Sequence, residues 1–213
     1  RLVAYTLRNE QPVFCVLSED GKLMIEEITQ KRNLLTGKVT SKVIRAAIPF
    51  TPPADKGLPQ HLLLTDLADN AMAVWRDGTL VRFDLRDLSN PRVAETIDLV
   101  PEDHATLTSI SFLLGKATIV SGDSLGRVRG WFRIKPDTPG VKTSDGAYLV
   151  LAHDLLASDP SASGTPVTAI APATRSRLVA AGYADGAIRL FQMTTENLVA
   201  ATNVPGGGTV SAL

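Results

Sequence analysis

Short runs in which apolar and polar residues alternate, each closed by a glycine-bearing turn, recur along this chain of 213 residues. Three are complete hairpins. Residues 71–75, the turn Arg76-Asp77-Gly78 and residues 79–85 form the first. Residues 117–122, Asp123-Ser124-Leu125-Gly126 and 127–134 form the second, and residues 178–182, Tyr183-Ala184-Asp185-Gly186 and 187–193 the third. Alternation over such short spans predicts strands rather than helices. An aspartate just ahead of the glycine predicts a tight turn, because glycine takes a positive φ without a Cβ clash and the carboxylate accepts from turn N–H groups.

With the glycines set in register a fourth copy emerges at Gly21, led in by Ser18-Glu19-Asp20 and followed by residues 22–28. Two residues past each glycine stand Leu23, Leu80, Val128 and Ile188; five past stand Glu26, Phe83, Trp131 and Phe191. The glycines are 57, 48 and 60 residues apart, somewhat more than the roughly 40 to 50 of a propeller blade. Surface loops absorb the excess, since closure entropy grows only with the logarithm of loop length. The heads of the units repeat as well: Leu107-Thr108-Ser109-Ile110, Val167-Thr168-Ala169-Ile170 and Val210-Ser211-Ala212-Leu213.

Each unit has room for four strands. In the third, 108–113 opens and 147–152 closes after the loop 136–146; in the fourth, 167–171 opens and 198–202 closes. The expectation is an all-β fold, a partial β-propeller of four-stranded antiparallel blades, whose WD40-like character rests on the resemblance given below. Residues 1–213 then make a single truncated propeller domain, about four blades plus the first strand of another. A β-sandwich of similar strand count is the competing fold, although it does not require the same residues at the head of every unit. Helix signals are thin: residues 26–35 hold helix formers, but Ile28, Thr29, Asn33 and Gly37 leave no sustained 3.6 period. Residues 49–59 and 158–166, rich in proline, serine or glycine, read as loops between blades, where a partner contact would sit.

Composition narrows the function classes. Twenty-two basic residues balance twenty-two acidic ones, which argues against a nucleic-acid binder that recruits phosphates through a positive surface. Cys15 is the one cysteine, so no internal disulfide forms, and its neighbours Val13, Phe14 and Val16 place it in an apolar strand. No apolar run approaches the roughly 18 to 20 residues of a membrane-spanning helix, and no signal peptide precedes Arg1. Strand-like patterning that runs into both ends leads to the expectation of a segment excised from a larger parent.

Chemistry-bearing constellations are not found in the sequence. His61, His104 and His153 are scattered, which gives no metal-ligand spacing. Gly122-Asp123-Ser124-Leu125-Gly126 has the Gly-x-Ser-x-Gly spacing, but Asp123-Ser124 belongs to a hairpin turn, so no nucleophile elbow is expected. Pro205-Gly206-Gly207-Gly208-Thr209 is glycine-rich, but no Lys-Ser or Lys-Thr enters a helix after it, so it reads as a linker. Asp77, Asp123 and Asp185 are explained as turn formers rather than as a carboxylate ring. No catalytic residue, cofactor or metal is therefore expected. Arg82, Arg127, Arg129, Arg133 and Arg189 recur on third strands, either as a solvated sheet face or as a basic strip that meets a partner. Arg127, Arg129 and Arg189 are the candidate partner-binding residues. Trp75 and Trp131 are expected between blades in the core.

Phe83-Asp84, Trp131-Phe132 and Phe191-Gln192 stand where a WD-type blade carries its terminal Trp-Asp, so the repeat resembles a degenerate WD blade without the Gly-His opening. A narrower likeness covers roughly residues 60 to 213. It rests on Thr108-Ser109-Ile110-Ser111-Phe112-Leu113-Leu114-Gly115, on Val120-Ser121-Gly122-Asp123-Ser124-Leu125-Gly126-Arg127-Val128 with Trp131-Phe132, and on Ala181-Gly182-Tyr183-Ala184-Asp185-Gly186. These stretches resemble the soluble propeller insert of a bacterial phosphate-type ABC transporter permease. That resemblance implies an extracytoplasmic platform at the periplasmic face of the inner membrane. It would dock other transporter subunits or a substrate-binding protein, and meet the membrane only through parts of the parent outside this chain. The alternative is a soluble WD-like protein-interaction scaffold without a transport role. In either case an open sheet edge invites self-association.

Overall fold

The computed structural model describes residues 1–102, 104–136, 143–155 and 164–213. The fold is all-β, a partial propeller of four antiparallel four-stranded blades in which every strand lies beside its neighbour in sequence. The first blade is β1 (Leu2–Arg8), β2 (Gln11–Leu17), β3 (Leu23–Arg32) and β4 (Val39–Ala47); the second is β5 (His61–Leu64), β6 (Asn70–Val74), β7 (Thr79–Asp84) and β8 (Arg92–Asp98). β9 (Leu107–Phe112), β10 (Thr118–Asp123), β11 (Val128–Ile134) and β12 (Tyr148–Asp154) form the third, and β13 (Val167–Pro172), β14 (Leu178–Tyr183), β15 (Ala187–Gln192) and β16 (Asn197–Asn203) the fourth. Residues 26–35, weak as a helix in sequence, form the end of β3 and the turn into β4.

Contacts group these residues into two units. One holds Arg1–Trp75, Leu80–Thr96 and the described part of 142–146; the other holds Arg76–Thr79 and the described residues of 97–141 and 147–213. The core of the first unit joins Val13, Cys15 and Leu17 of β2 and Leu23 and Ile25 of β3 to Ala71, Ala73, Trp75 and Phe83. Strict alternation along β2 puts these residues on one face, as a strand's period of two requires. Phe50 packs edge-on against Phe83 with ring centroids 5.7 Å apart, and Trp75 donates from Nε1 to the Gly57 carbonyl at 3.0 Å, so the segment 49–59 is pinned at two places. In the second unit Val120, Val128, Val167, Val179, Ala181, Tyr183 and Phe191 share a core. A buried side chain of this size contributes about 1.5–3 kcal/mol.

The hairpin glycines adopt the conformation expected of them: φ is 82° at Gly21, 92° at Gly78, 87° at Gly126 and 88° at Gly186. The turn aspartates do what their position implies. Asp77 Oδ1 accepts from the Thr79 amide at 3.1 Å, Asp123 Oδ1 from the Leu125 and Arg127 amides at 2.9 and 3.0 Å, and Asp185 Oδ1 from the Ala187 amide at 3.0 Å.

The repeated unit heads have a steric cause. A Cβ built on Gly122 would lie 2.6 Å from Val167 Cγ1, and one on Gly182 would overlap Val210 in the same manner. The Thr108 hydroxyl donates to the Gly122 carbonyl at 3.0 Å, and the Thr168 hydroxyl to the Gly182 carbonyl at 3.1 Å. Thus the glycine and the valine at the head of the following unit repeat together because one backbone must lie bare beneath the other's side chain.

Burial pushes the Cys15 thiol up to about 12, since a thiolate there would be stripped of water. We expect the folded chain to resist iodoacetamide at pH 8 and to react in denaturant. Rapid labelling of the native chain, read by mass spectrometry, would show that β2 opens readily.

Candidate functional site

Third-strand arginines proved to be of two kinds. Arg129 and Arg189 lie three residues past their hairpin glycines and Arg82 lies four past, so Arg82 projects from the opposite face of its strand. Each is buried, and each is occupied by its own surroundings.

In the first unit Arg82 is 0 % exposed. Its Nε donates to Glu95 Oε1 on β8 at 2.5 Å, and Nη1 donates to Asn70 Oδ1 on β6 at 2.6 Å. The outer edge of the guanidinium holds Asp145 in a two-pronged grip, Nη1 to Oδ2 at 2.6 Å and Nη2 to Oδ1 at 3.1 Å. Burial works against the charge of Arg82, but the hydrogen bonds it donates to Asp145 and Glu95 more than offset it, and its pKa is raised. Nearby, Arg86 donates to both oxygens of Asp84, at 2.9 and 2.8 Å, and from Nη2 to the Ser144 carbonyl at 3.2 Å. Asp84, Arg86, Asp87, Asn90, Arg92 and Ser144 line an open cleft of about 320 Å³.

In the second unit Arg129 donates from Nε to Asp154 Oδ2 at 3.0 Å and from both terminal nitrogens to Glu102, with Nη1 to Oε2 at 2.7 Å. Arg127 joins the same carboxylate, its Nη1 lying 3.0 Å from Glu102 Oε2. Arg189 lies with its guanidinium carbon 4.3 Å from the centroid of the Tyr183 ring, a cation–π contact. The three candidate arginines are therefore not one strip: Arg127 and Arg129 converge on Glu102, and Arg189 sits apart on β15. Arg127 is the most accessible, with 23 % of its side chain exposed.

The Arg129 hydrogen bond holds the Glu102 carboxyl below its ordinary value, and the Arg86 hydrogen bond does the same for Asp84. A carboxyl depressed on folding stabilises the fold above its unfolded value of about 4, and that stability is lost as pH falls through the folded one. Asp123 is raised, chiefly by burial, so its ionisation opposes folding as pH climbs. The balance of the first two predicts a loss of stability below about pH 4. Glu102→Gln should flatten that acid limb in denaturation midpoints measured from pH 6 to 3. An unchanged limb would mean that Glu102 titrates alike in both states.

The histidines do not meet. His153 Nδ1 lies 3.0 Å from Glu196 Oε1, His61 is lowered by burial, and His104 sits in a turn at φ 63°. No group of three or more His, Cys, Asp or Glu placed to hold a metal occurs among the described residues. The glycines 206–208 all take positive φ in a linker, with Gly207 N bonded to the Val204 carbonyl at 3.1 Å and the Thr209 hydroxyl to the Ala184 carbonyl at 2.9 Å. Residues 137–142 of the loop 136–146, and 156–163, which take most of the loop 158–166, lie outside the described residues.

Sequence reasoning missed Asp145, Glu95, Asn70 and Glu102. None of the four stands in a repeat position, and only chain folding brings Asp145 to Arg82 across 63 residues.

No family model matches the chain, and no curated protein matches it. Among solved structures, the β-propeller domain of Myceliophteria thermophila Cps50 (Swd1) is similar with a TM-score of 0.60 and 13 % identity. The match covers 94 % of this chain and 58 % of that one, so the present chain spans well under two thirds of the length of the propeller it resembles. At this identity the likeness is one of fold, and the fold is a WD40-like propeller.

These findings correct the permease reading. The similar structure is the propeller domain of Cps50 (Swd1) and not that of a permease. The physical reason lies in the stretches that carried the resemblance. Gly122 and Gly182 are bare because Val167 and Val210 lie on them, Asp123 and Asp185 build turns, and Trp131 and Phe191 fill the interior. Such residues are demanded by stacked blades in general and carry no family. The ABC transporter subunits, the substrate-binding protein, phosphate transport and the periplasmic location fall with that reading. No helix among the described residues is long and apolar enough to cross a membrane.

Proposed function

We propose that this chain is part of a WD-like protein-interaction scaffold. The observation that carries the reading is the succession of four blades matching a β-propeller domain over 94 % of the chain. WD40-type propellers are a class generally without catalytic activity. The charged side chains on the third strands agree with a binding role, because Arg82 and Arg129 are spent on neighbouring carboxylates rather than aimed at a reacting group.

In this reading residues 1–213 act as one propeller domain of about four blades, with Val210–Leu213 at the place of a further opening strand. The hydrogen bond from Val210 N to the Tyr183 carbonyl at 3.2 Å supports that placement. A partner reaches Arg127 first, while Arg129 and Arg189 act by holding β11 and β15 in shape. Loops 49–59 and 158–166 remain contact candidates. The test is cross-linking of the folded chain in a lysate of its source, with contacts mapped by mass spectrometry and repeated with Arg127→Ala. Saturable cross-links that weaken in the variant are expected. Absence of any reproducible protein partner would sink the reading.

A further inference from the structure

Glu95, Asn70 and Arg82 come from adjacent strands of one blade, where Arg82 bonds both of the other two. Asp145 comes from outside those strands. It arrives from 63 residues away on the surface turn Thr143-Ser144-Asp145-Gly146, closed by a hydrogen bond from Gly146 N to the Thr143 carbonyl at 3.2 Å. Ser144 is exposed, whereas the Asp145 side chain retains 3 % of its accessible surface. The turn thus lies on the surface and sends a single carboxylate inward. What receives that carboxylate is the planar outer edge of a guanidinium, the geometry by which arginine reads carboxylates. Beside it the Asn70 side-chain nitrogen, buried in the same network, has no hydrogen-bond acceptor among the described residues. An approach exists, since the open cleft that Ser144 lines borders the turn; Arg86 and Arg92 line it together with Asp84 and Asp87.

The geometry points to a carboxylate-recognition site on the second blade, built from Arg82 and Asn70, that Asp145 fills as an internal ligand. Its external ligand is a peptide segment that presents an aspartate on a tight turn and displaces residues 143–146. Arg82 supplies the two-pronged grip and Arg86 takes the carbonyl one residue before the aspartate, as it takes that of Ser144. Lifting the turn leaves Arg82 paired with Glu95, so release of Asp145 strands no charge of the blade itself. This inference rests on the scaffold reading and names the class of partner. It is testable apart from that reading because the probe is a defined peptide.

The probe is fluorescently labelled acetyl-Lys-Thr-Ser-Asp-Gly-Ala-amide, with an Asn-for-Asp peptide as control, and binding is followed by anisotropy. Asp145→Ala should bind the aspartate peptide at least tenfold more tightly than the unmodified chain. The control peptide should gain nothing, and the double variant Asp145→Ala with Arg82→Lys should lose the gain. If Asp145→Ala loses its folded circular-dichroism signal, Asp145→Asn replaces it. Independently, millimolar peptide on the unmodified chain should raise hydrogen exchange at Ser144–Gly146. Equal affinity of folded variant and unmodified chain, or exchange at 144–146 unmoved by the peptide, overturns the proposal. Cross-linking that finds no partner, with peptide binding intact, counts against the scaffold reading alone.

Discussion

Arg82→Ala should remove about 3–5 kcal/mol of folding stability, the largest loss expected from any single substitution in this chain. The side chain is 0 % exposed, and its removal takes away the guanidinium that Glu95 and Asp145 both bond. Deleting one member of a buried pair costs far more than the pair contributes, because the survivor retains its desolvation penalty without its compensation. Asp145→Ala should cost clearly less, since Arg82 keeps Glu95. Urea denaturation followed by fluorescence of Trp75, which belongs to the same core as Phe83, measures both. An Arg82→Ala loss below about 1 kcal/mol would mean that water reaches the site.

Gly122→Val is the second large effect, and here the cause is volume. A single added Cβ meets Val167 at 2.6 and 2.9 Å and Ile170 Cδ1 at 3.1 Å, and valine adds two further methyls. Overpacking of this kind costs about 1–3 kcal/mol, and valine should reach the upper end. Gly122→Ala should fall lower. Gly130→Ala is the informative contrast: the nearest atom there is Met193 Sδ at 2.8 Å, the far part of a flexible chain that can swing aside. Combining Gly122→Ala with Val167→Ala should return part of the loss, because the second change removes the methyl the first one strikes. Strict additivity in denaturation midpoints would show that Gly122 is needed for something other than that contact.

The same two positions show how far a sequence speaks. Gly122 and Val167 belong to the repeated segments that made the period visible, and the reason they repeat is the clash between them. Hairpin turns were legible for the same kind of local reason: a positive φ at Gly78, Gly126 and Gly186 and an aspartate bonded to nearby amides leave their mark within four residues. The period located the blades, yet it also misled. Residues common to stacked blades resemble those of one permease family, although packing alone accounts for them.

Arginines mark the limit. Arg82, Arg129 and Arg189 looked alike along the chain, as basic residues shortly after a hairpin glycine. A one-residue difference in offset places Arg82 on the other face of its strand, beyond the reach of a pattern that tracked composition. The register shifts at Gly130/Trp131 and at Leu190/Phe191 were equally invisible, since a bulge adds a residue without changing the residue types around it.

From the amino-acid order alone came the repeat of four-stranded antiparallel units, their turns and the residues that fill them, because alternation and turn chemistry act between near neighbours. Only the folded chain decided which carboxylate each arginine holds. Asp145, Glu95 and Glu102 carry no local signature, and electrostatic pairing is selected by distance in space once the backbone has brought the groups together.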